Sequence, residues 1–555
     1  MKNAFRLFLL FQFTSLFGWA QWNSGPAINT SICSGILNSQ KNVATVSDLN
    51  GGAIIAWEDY RNDSLTSHIY MQRVDKYGVT KWAVNGMRLC ALDSSQVNIA
   101  MVSDSLGGVI ISWQDSRGDS NAGADIYAQR VDSSGNLLWT PNGVAIAAKL
   151  MSQKYPSIVS DNNHGAIIVW QDATLNNSWD IYAQRIGSNG STVWTTGGVV
   201  ICNDVNKQIS PKLTVDGTGG AFICWQDYRN TVDYDIYAQR IDGVGTVHWS
   251  TNGVAICNAT DTQKSPKIKS DNQGGAILVW QDKRNGLDYD IYSQRVNATG
   301  TMQWSSNGVV ICNAINGQQN MSITTAGING AIIAWSDGRI DPNNEDVYAQ
   351  RIALNGAVAW STNGIAIANA VYTQNGISIA GDRLGGAFIA WQDSCCGSWD
   401  IKAQRIDANG VALWSAGGVA TGAAALTQSN VDNLSDDAGG CIFVFQDKRS
   451  GNYDIYAHHL NSNGTTAGII EETKSDFHLQ IAPNPFAAHS TIQCDTQLQD
   501  ATLTVVTIFG QKIIEQKNIN GQSVDLDRGE LSAGVYFVHL SMGNRVAVEK
   551  IIVTD

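Results

Sequence analysis

The chain has 555 residues, a formal net charge of −13, 54 glycines, 8 prolines and 18 tryptophans. The length exceeds one ordinary core unless it is built by repetition. An acidic chain without a basic stripe lacks the charge that binds phosphate, which speaks against nucleic acid as a partner.

Residues 1–20 read as a signal peptide. Lys2 and Arg6 open it, Leu7–Phe17 is mostly apolar, and Gly18-Trp19-Ala20 supplies small residues for cleavage. The apolar run is short for a membrane helix, and no later segment reaches that length, so no transmembrane segment is expected.

Residues 21–470 repeat. One marker runs through Trp57, Trp113, Trp170, Trp225, Trp280, Trp335, Trp391 and Phe445, at steps of 54 to 57 residues. A second runs through Trp22, Trp82, Trp139, Trp194, Trp249, Trp304, Trp360 and Trp414. The unit around Trp280 reads as four strands. They are Pro266–Ser270, Ala276–Asp282, Asp290–Val296 and a last strand between Thr301 and Ile311, interrupted at Asn307-Gly308. In Ala53-Ile54-Ile55-Ala56-Trp57 both alternating faces are apolar, as in a strand covered on both sides. Four short strands in such a unit predict an all-β fold, an eight-bladed β-propeller of four-stranded blades. Trp22–Ile28 matches the fourth-strand segment but precedes the first complete unit, whereas the last unit lacks its own. The N-terminal strand is therefore expected to complete the last blade and close the ring. A monomer is expected.

The recurrent polar residues invite a functional reading. Asp59, Asp115, Asp172, Asp227, Asp282, Asp337, Asp393 and Asp447 each follow the first marker by two residues. Arg73, Arg130, Arg185, Arg240, Arg295, Arg351 and Arg405 recur in a Gln-Arg pair, replaced by His458-His459 in the last unit. Catalysis needs a group once per site, so an eightfold set reads as an ion-pair frame. The Ser-Asp-x-x-Gly-Gly turns resemble an Asp-box only superficially and read as turn chemistry. Cys90, Cys202, Cys257 and Cys312 share a position that is Ala147, Ala368 or Gly422 elsewhere, which suits a small buried slot. No metal site, cofactor or catalytic residue is assigned. The variable loops between the second and third strands carry Tyr60, Trp179, Tyr228, Tyr234, Tyr289, Trp399 and Tyr453, the candidate ligand-binding residues. These rings suit a glycan, protein or peptide ligand, or pack over the polar layer beneath.

After a linker at 471–477, residues 478–555 read as a small Ig-like β-sandwich. Pro483-Asn484-Pro485 opens it, Phe509-Gly510-Gln511 marks a turn, Leu531-Ser-Ala-Gly534-Val-Tyr536 enters a strand, and Lys550-Ile-Ile-Val553 closes it. These motifs, in this order, resemble the type A C-terminal sorting domain of the Bacteroidetes type IX secretion system. The resemblance implies export by that machinery, followed by release or attachment at the cell surface. Pro483, Asn484, Pro485, Gly534, Tyr536 and Lys550 carry it. The repeats resemble those of other secreted propeller proteins bearing this module, which conveys fold and not activity. The chain is expected to be a secreted or surface binding protein, adhesin-like or glycan- or protein-binding. The alternative is a carbohydrate-active enzyme with acids at Asp233, Asp288, Asp341 and Glu345.

Overall fold

The computed structural model describes residues 22–23, 25–118, 123–173, 178–466, 479–507, 512–529, 531–542 and 545–555. The expected signal peptide, the linker and the Phe509-Gly510-Gln511 turn lie outside the described residues. The chain divides into two compact units between Ala467 and Gly468.

The first unit is an eight-bladed β-propeller. In blade 5 the strands Gln263–Ser270, Ala276–Asp282, Asp290–Val296 and Val309–Cys312 pair antiparallel in chain order. The expected interruption of the fourth strand is present. Val296 bridges Met302, a turn closes from Gly308 N to Ser305 O, and the strand resumes at Val309. Glycine is required at 308. Its φ is +87°, and a Cβ there would lie 2.6 Å from the Trp280 ring.

The eight innermost strands are Gln40–Ser47, Gln96–Ser103, Gln153–Ser160, Gln208–Val215, Gln263–Ser270, Gln318–Thr325, Gln374–Gly381 and Gln428–Ser435. Each lies against the innermost strands of the blades on either side, the eighth against the first. The ring is closed and surrounds a channel. The second strands are buried on both faces, and the first-marker tryptophans of blades 1–7 are fully buried. The apolar clusters lie between blades: one joins Ile167, Val169 and Trp194 of blade 3 to Ile223 and Trp225 of blade 4. Stacking blade on blade is thus what removes these strands from water.

The recurrent charges form two frames rather than the single network read from the sequence. In the first, the Asp after the marker Trp binds the Arg two residues further on, not the Arg of Gln-Arg. Asp282 accepts from Trp280 Nε1 at 2.8 Å and from Arg284 N and Nε at 3.0 and 2.8 Å. Arg284 also lies 3.7 Å over the Tyr292 ring and donates to Asn307 O and Cys257 Sγ. In blades 1, 2, 3, 4 and 6 the marker Trp also stacks on the Tyr at this position, at 6.2–6.5 Å between ring centres. Lys149 and Lys402 supply the cation to Asp172 and Asp393 in blades 3 and 7. In the second frame, six blades pair the Asp of the turn between the first and second strands with that turn's amides and the Gln-Arg arginine, whereas blade 6 has Ala326 in its place. Asp271 accepts from Gly275 N at 2.8 Å and Arg295 Nε at 2.7 Å. His459 takes that place against Asp436 in blade 8.

The cysteine slot belongs to the first frame. Cys257 and Cys312 accept from Arg284 and Arg339 at 3.1 Å. Burial pushes the thiols of Cys33, Cys202, Cys257 and Cys312 up to about 12. They stay protonated at neutral pH and are poor nucleophiles. Cys33 occupies the same slot in blade 8, facing Ile455.

Blade 8 is made from both ends of the ring. Thr30–Cys33 pairs antiparallel with Asp454–Leu460, followed by Cys441–Asp447 and Gln428–Ser435. Arg449 donates to Ala27 O and Ile28 O at 2.9 and 2.8 Å, and Asn29 Nδ2 donates to Thr421 O at 2.7 Å. Trp22 is buried and stacks on His459 at 5.6 Å.

His458 stands where seven blades have Gln. Its Nδ1 meets the Asn29 amide at 3.4 Å, and its buried Nε2 has no partner among the described residues. Burial, reinforced by His459, pushes its pKa from 6.5 down to about 4. The folded protein thus keeps His458 neutral while the unfolded chain protonates it near 6.5. This site's contribution is complete above 6.5 and is lost as pH falls towards about 4, roughly 3 kcal/mol in all. His458→Gln should remove that loss. The stability difference between variant and parent in denaturant titrations should widen in favour of the variant from pH 6.5 to 4. A constant difference would contradict the assignment.

The second unit is a five-stranded sheet wrapped around its own core. His489–Thr507 pairs with Leu479–Ala482 through its first half and with Gly534–Met542 through its second. Lys512–Asp527 pairs along its other edge. Arg545–Val553 pairs with Gly534–Met542, and Val553 also bridges Phe486. Leu479, Ile492, Leu503, Val538, Leu540 and Ile551 share one buried cluster.

Candidate binding site at the channel mouth

The third residue of every innermost strand has φ between 51° and 62°: Asn42, Asn98, Tyr155, Ser210, Ser265, Asn320, Gly376 and Asn430. The left-handed residue makes a bulge, and register with the second strand resumes two residues later. The bulge turns that residue's amide towards the preceding blade. There the residue after the marker Trp receives it: Ser265 N donates to Gln226 Oε1 and Asn42 N to Gln446 Oε1, both at 2.7 Å.

The expected loop aromatics stand beside these bulges. Tyr453, Tyr234, Tyr289 and Trp399 each accept, through the backbone carbonyl, from the first amide of the next blade's innermost strand at 2.6–2.7 Å. Trp179 bridges Lys207 at the equivalent place. Tyr60 and Tyr228 donate their amides to Ser39 O and Lys207 O, on the connections between blades. All seven are half-buried. Lysines lie across several rings: Lys41 is 5.6 Å from Tyr60 and 5.9 Å from Tyr453, Lys154 is 5.8 Å from Trp179, and Lys264 is 3.7 Å from Tyr289. Tyr228 and Tyr234 pack on each other at 5.0 Å. The equivalents of Tyr453 in blades 1, 2 and 6 are Ser67, Ala124 and Glu345, so the aromatic set is uneven around the ring.

The alternative acids do not converge. Asp233 and Asp288 each accept from an Asn in their own loop, Asn230 and Asn285. Asp341 accepts from Asn343 N at 2.9 Å, and Glu345 accepts from Gln319. A different set of acids is paired across strands two and three, such as Asp227 with Asp235 and Asp282 with Asp290. Burial, then neighbouring carboxylates, push Asp235 up to about 7 and Asp290 up to about 6. The pairing recurs in seven blades and belongs to the frame.

The irregular chemistry lies inside the channel. Glu58 replaces the Gln found at its position in six other blades. It accepts from Asn98 N and Asn42 Nδ2, both at 2.8 Å, and burial raises its pKa. Asp432, likewise raised by burial, accepts from Thr45 N and Oγ1 at 3.0 and 2.8 Å and from Ser378 Oγ at 3.3 Å. Both acids line a cavity of about 580 Å³ with Asn42, Asn98, Ser378 and Asn430. A second cavity of about 530 Å³ shares Ile377, Asn430 and Val431 with it and continues to Ser265, Lys267, Gln281, Asn320 and Asn375. Amides and hydroxyls make up most of the second lining, whereas the first adds the two acids and a group of apolar residues. The sequence singles out the loop aromatics and not the channel residues. The innermost strand of blade 5 was expected to start at Pro266 and starts at Gln263, so the bulge and the residues before it fell outside it. Charged residues at strand positions that are small in other blades, such as Lys212, Lys267 and Asp432, were the available signal.

In the second unit, the Pro-Asn-Pro opening is fastened to the last strand. Asn484 Nδ2 donates to Lys550 O at 2.7 Å, and Asn484 Oδ1 accepts from Ile552 N at 2.8 Å. Pro483 O accepts from Ser490 Oγ and Pro485 follows Asn484 into the segment that Phe486 pairs with Val553. Tyr536 OH donates to Ser532 O at 3.0 Å beside Gly534, which pairs with Val553. The motif residues thus build the joint between the first and last segments. Residues 480–554 match the family described as a secretion system C-terminal sorting domain. This sorting domain marks the chain for export by the type IX route, to the cell surface or the extracellular space, and implies an origin in the Bacteroidetes. Among the described residues no helix is long and apolar enough to cross a membrane.

No curated protein matches the chain. Solved structures with a similar arrangement include the α-L-arabinofuranosidase of Fusarium graminearum. It has 10% identity and a TM-score of 0.33, covering 66% of this chain and 93% of that one. The α-L-arabinanase of Penicillium chrysogenum has 11% identity and a TM-score of 0.32, covering 67% and 94%. A protein of unknown function from Dyadobacter fermentans has 8% identity and a TM-score of 0.35, covering 66% and 94%. No residue role is carried from them to this chain.

Proposed function

We propose that the exported protein is a glycan-binding propeller, released or held at the cell surface, whose ligand enters the channel mouth on the loop face. The observation that carries this reading is the set of half-buried loop aromatics joined to the first residues of the innermost strands, whose channel side carries asparagines and serines together with Glu58, Lys267 and Asp432. Rings offer flat apolar faces to a sugar, and amides and hydroxyls match its hydroxyl groups. Binding fits the geometry better than glycoside hydrolysis. Asp432, one of the two channel acids, spends both carboxylate oxygens on bonds to Thr45, Ser378 and Asn433. Affinity electrophoresis of the full chain in gels containing neutral and acidic polysaccharides tests the reading. The double variant Trp179→Ala/Trp399→Ala should bind roughly 10-fold more weakly, as two lost ring contacts require. Unchanged binding in the folded double variant would remove the aromatic rim from the site.

A further inference from the structure

Blades 4 and 5 carry a charge pattern that the frame does not require. Lys212 and Lys267 occupy the fifth position of adjacent innermost strands, side by side, and Lys269 follows two residues on, on the same face. The fifth position is Ala44, Ala100, Ser157, Ser322, Ser378 or Asp432 in the other blades, and the seventh is never charged elsewhere. Lys267 lines the 530 Å³ channel cavity. Lys212 and Lys267 together line an adjoining cavity of about 230 Å³ with Tyr155, Ser210 and Gln226.

None of the three ammonium groups has a hydrogen-bond or ion-pair partner among the described residues. Surrounding protein lowers all three pKa values, although the Lys269 side chain keeps an exposed surface while Lys212 and Lys267 are half-buried, and repulsion by Lys267 helps bring Lys212 down to about 8. Asp432 acts on Lys269 from blade 8, and Cys224 lies near the other two. Grouping three unpaired cations in a confined space is unfavourable unless something negative joins them. The chain's net charge is −13, so the cluster is local and not an overall bias.

We propose that Lys212, Lys267 and Lys269 form an anion site inside the channel that takes the carboxylate or sulfate group of an acidic saccharide. The saccharide half rests on the glycan-binding reading above; the anion half stands on the lysines alone. Three compact ammonium groups suit a multivalent oxyanion as point charges. The channel amides beside them would take the sugar hydroxyls.

Two probes on the full chain separate these halves. Low-millimolar sodium sulfate, at ionic strength matched with chloride, should raise the melting temperature of the parent protein. It should not do so in Lys212→Met/Lys267→Met/Lys269→Met. In calorimetry the parent should bind a galacturonate trimer at least 10-fold more tightly than the neutral galactose trimer of the same linkage, and the triple variant should lose that preference. The variant removes like-charge crowding and should melt at or above the parent, which guards against a folding defect. If the variant melts lower, Lys269→Met alone is used, and it should reduce the trimer preference at least threefold. A sulfate response abolished by the triple variant, without trimer binding, would leave the anion site and overturn its saccharide ligand. Neutral trimer binding without an acidic preference would overturn the anion site and leave the glycan reading. No response to either probe would overturn the proposal.

Discussion

Removing residues 22–33 should open the ring and make the protein associate. The deletion takes away buried Trp22, Ile32 and Cys33, each contributing about 1.5–3 kcal/mol through burial, and strips Arg449 of its carbonyl acceptors. It also leaves the edge of Asp454–Leu460 unpaired, and a bare flat strand is a template for a second chain. Light scattering should show species larger than those of the parent, with a lower melting temperature. A peptide of residues 22–37 added in trans should restore the size of the parent. A truncated chain with the size and melting temperature of the parent would contradict the closing role of this strand.

The second large effect is expected at Asp282. Its carboxylate is buried and holds Trp280 Nε1, the Arg284 backbone and the Arg284 guanidinium. Asp282→Ala leaves a half-buried Arg and a buried indole N–H without their acceptor, costing about 3–5 kcal/mol. Adding Arg284→Met should recover part of that loss, because the uncompensated charge is then gone. The two changes would be strongly non-additive in denaturant titrations, as expected within one network. Simple addition would show that the pair acts separately. The exposed pair Lys512–Glu515 is a useful contrast, since removing it should change stability by less than about 0.5 kcal/mol.

The frame was legible because it repeats. Eight occurrences of a Trp, an Asp and an apolar second strand leave little freedom in fold, and the offset of Trp22 pointed to the composition of the last blade. What pairs with what was less legible. Asp59 and Arg73 are equally recurrent, yet Asp59 binds Arg61 while Arg73 reaches back to Asp48. Strand direction alternates the ends of the blade, and a motif read along the chain hides that. Cys33 escaped because it lies eleven residues after Trp22, whereas Cys90 lies eight after Trp82. The bulges at Asn42 or Tyr155 escaped because nothing in those side chains demands a left-handed backbone, and the pleat's two-residue alternation is broken there. The aromatic rim was readable as loop variation. The lysine cluster was not, because it occurs once and becomes a cluster only when two neighbouring blades are side by side.

The partnership of the two ends in blade 8 also sets an order of events. Arg449 and Ala27 are 422 residues apart. The segment made first must therefore wait for the segment of the ring made last. Joining ends across so long a loop is entropically costly and comes late in folding. Throughout synthesis the nascent protein is an incomplete arc with two unmated borders. Any truncation within the ring, natural or experimental, leaves it in that state, so an intact lock between the two borders also certifies that the whole ring has been made.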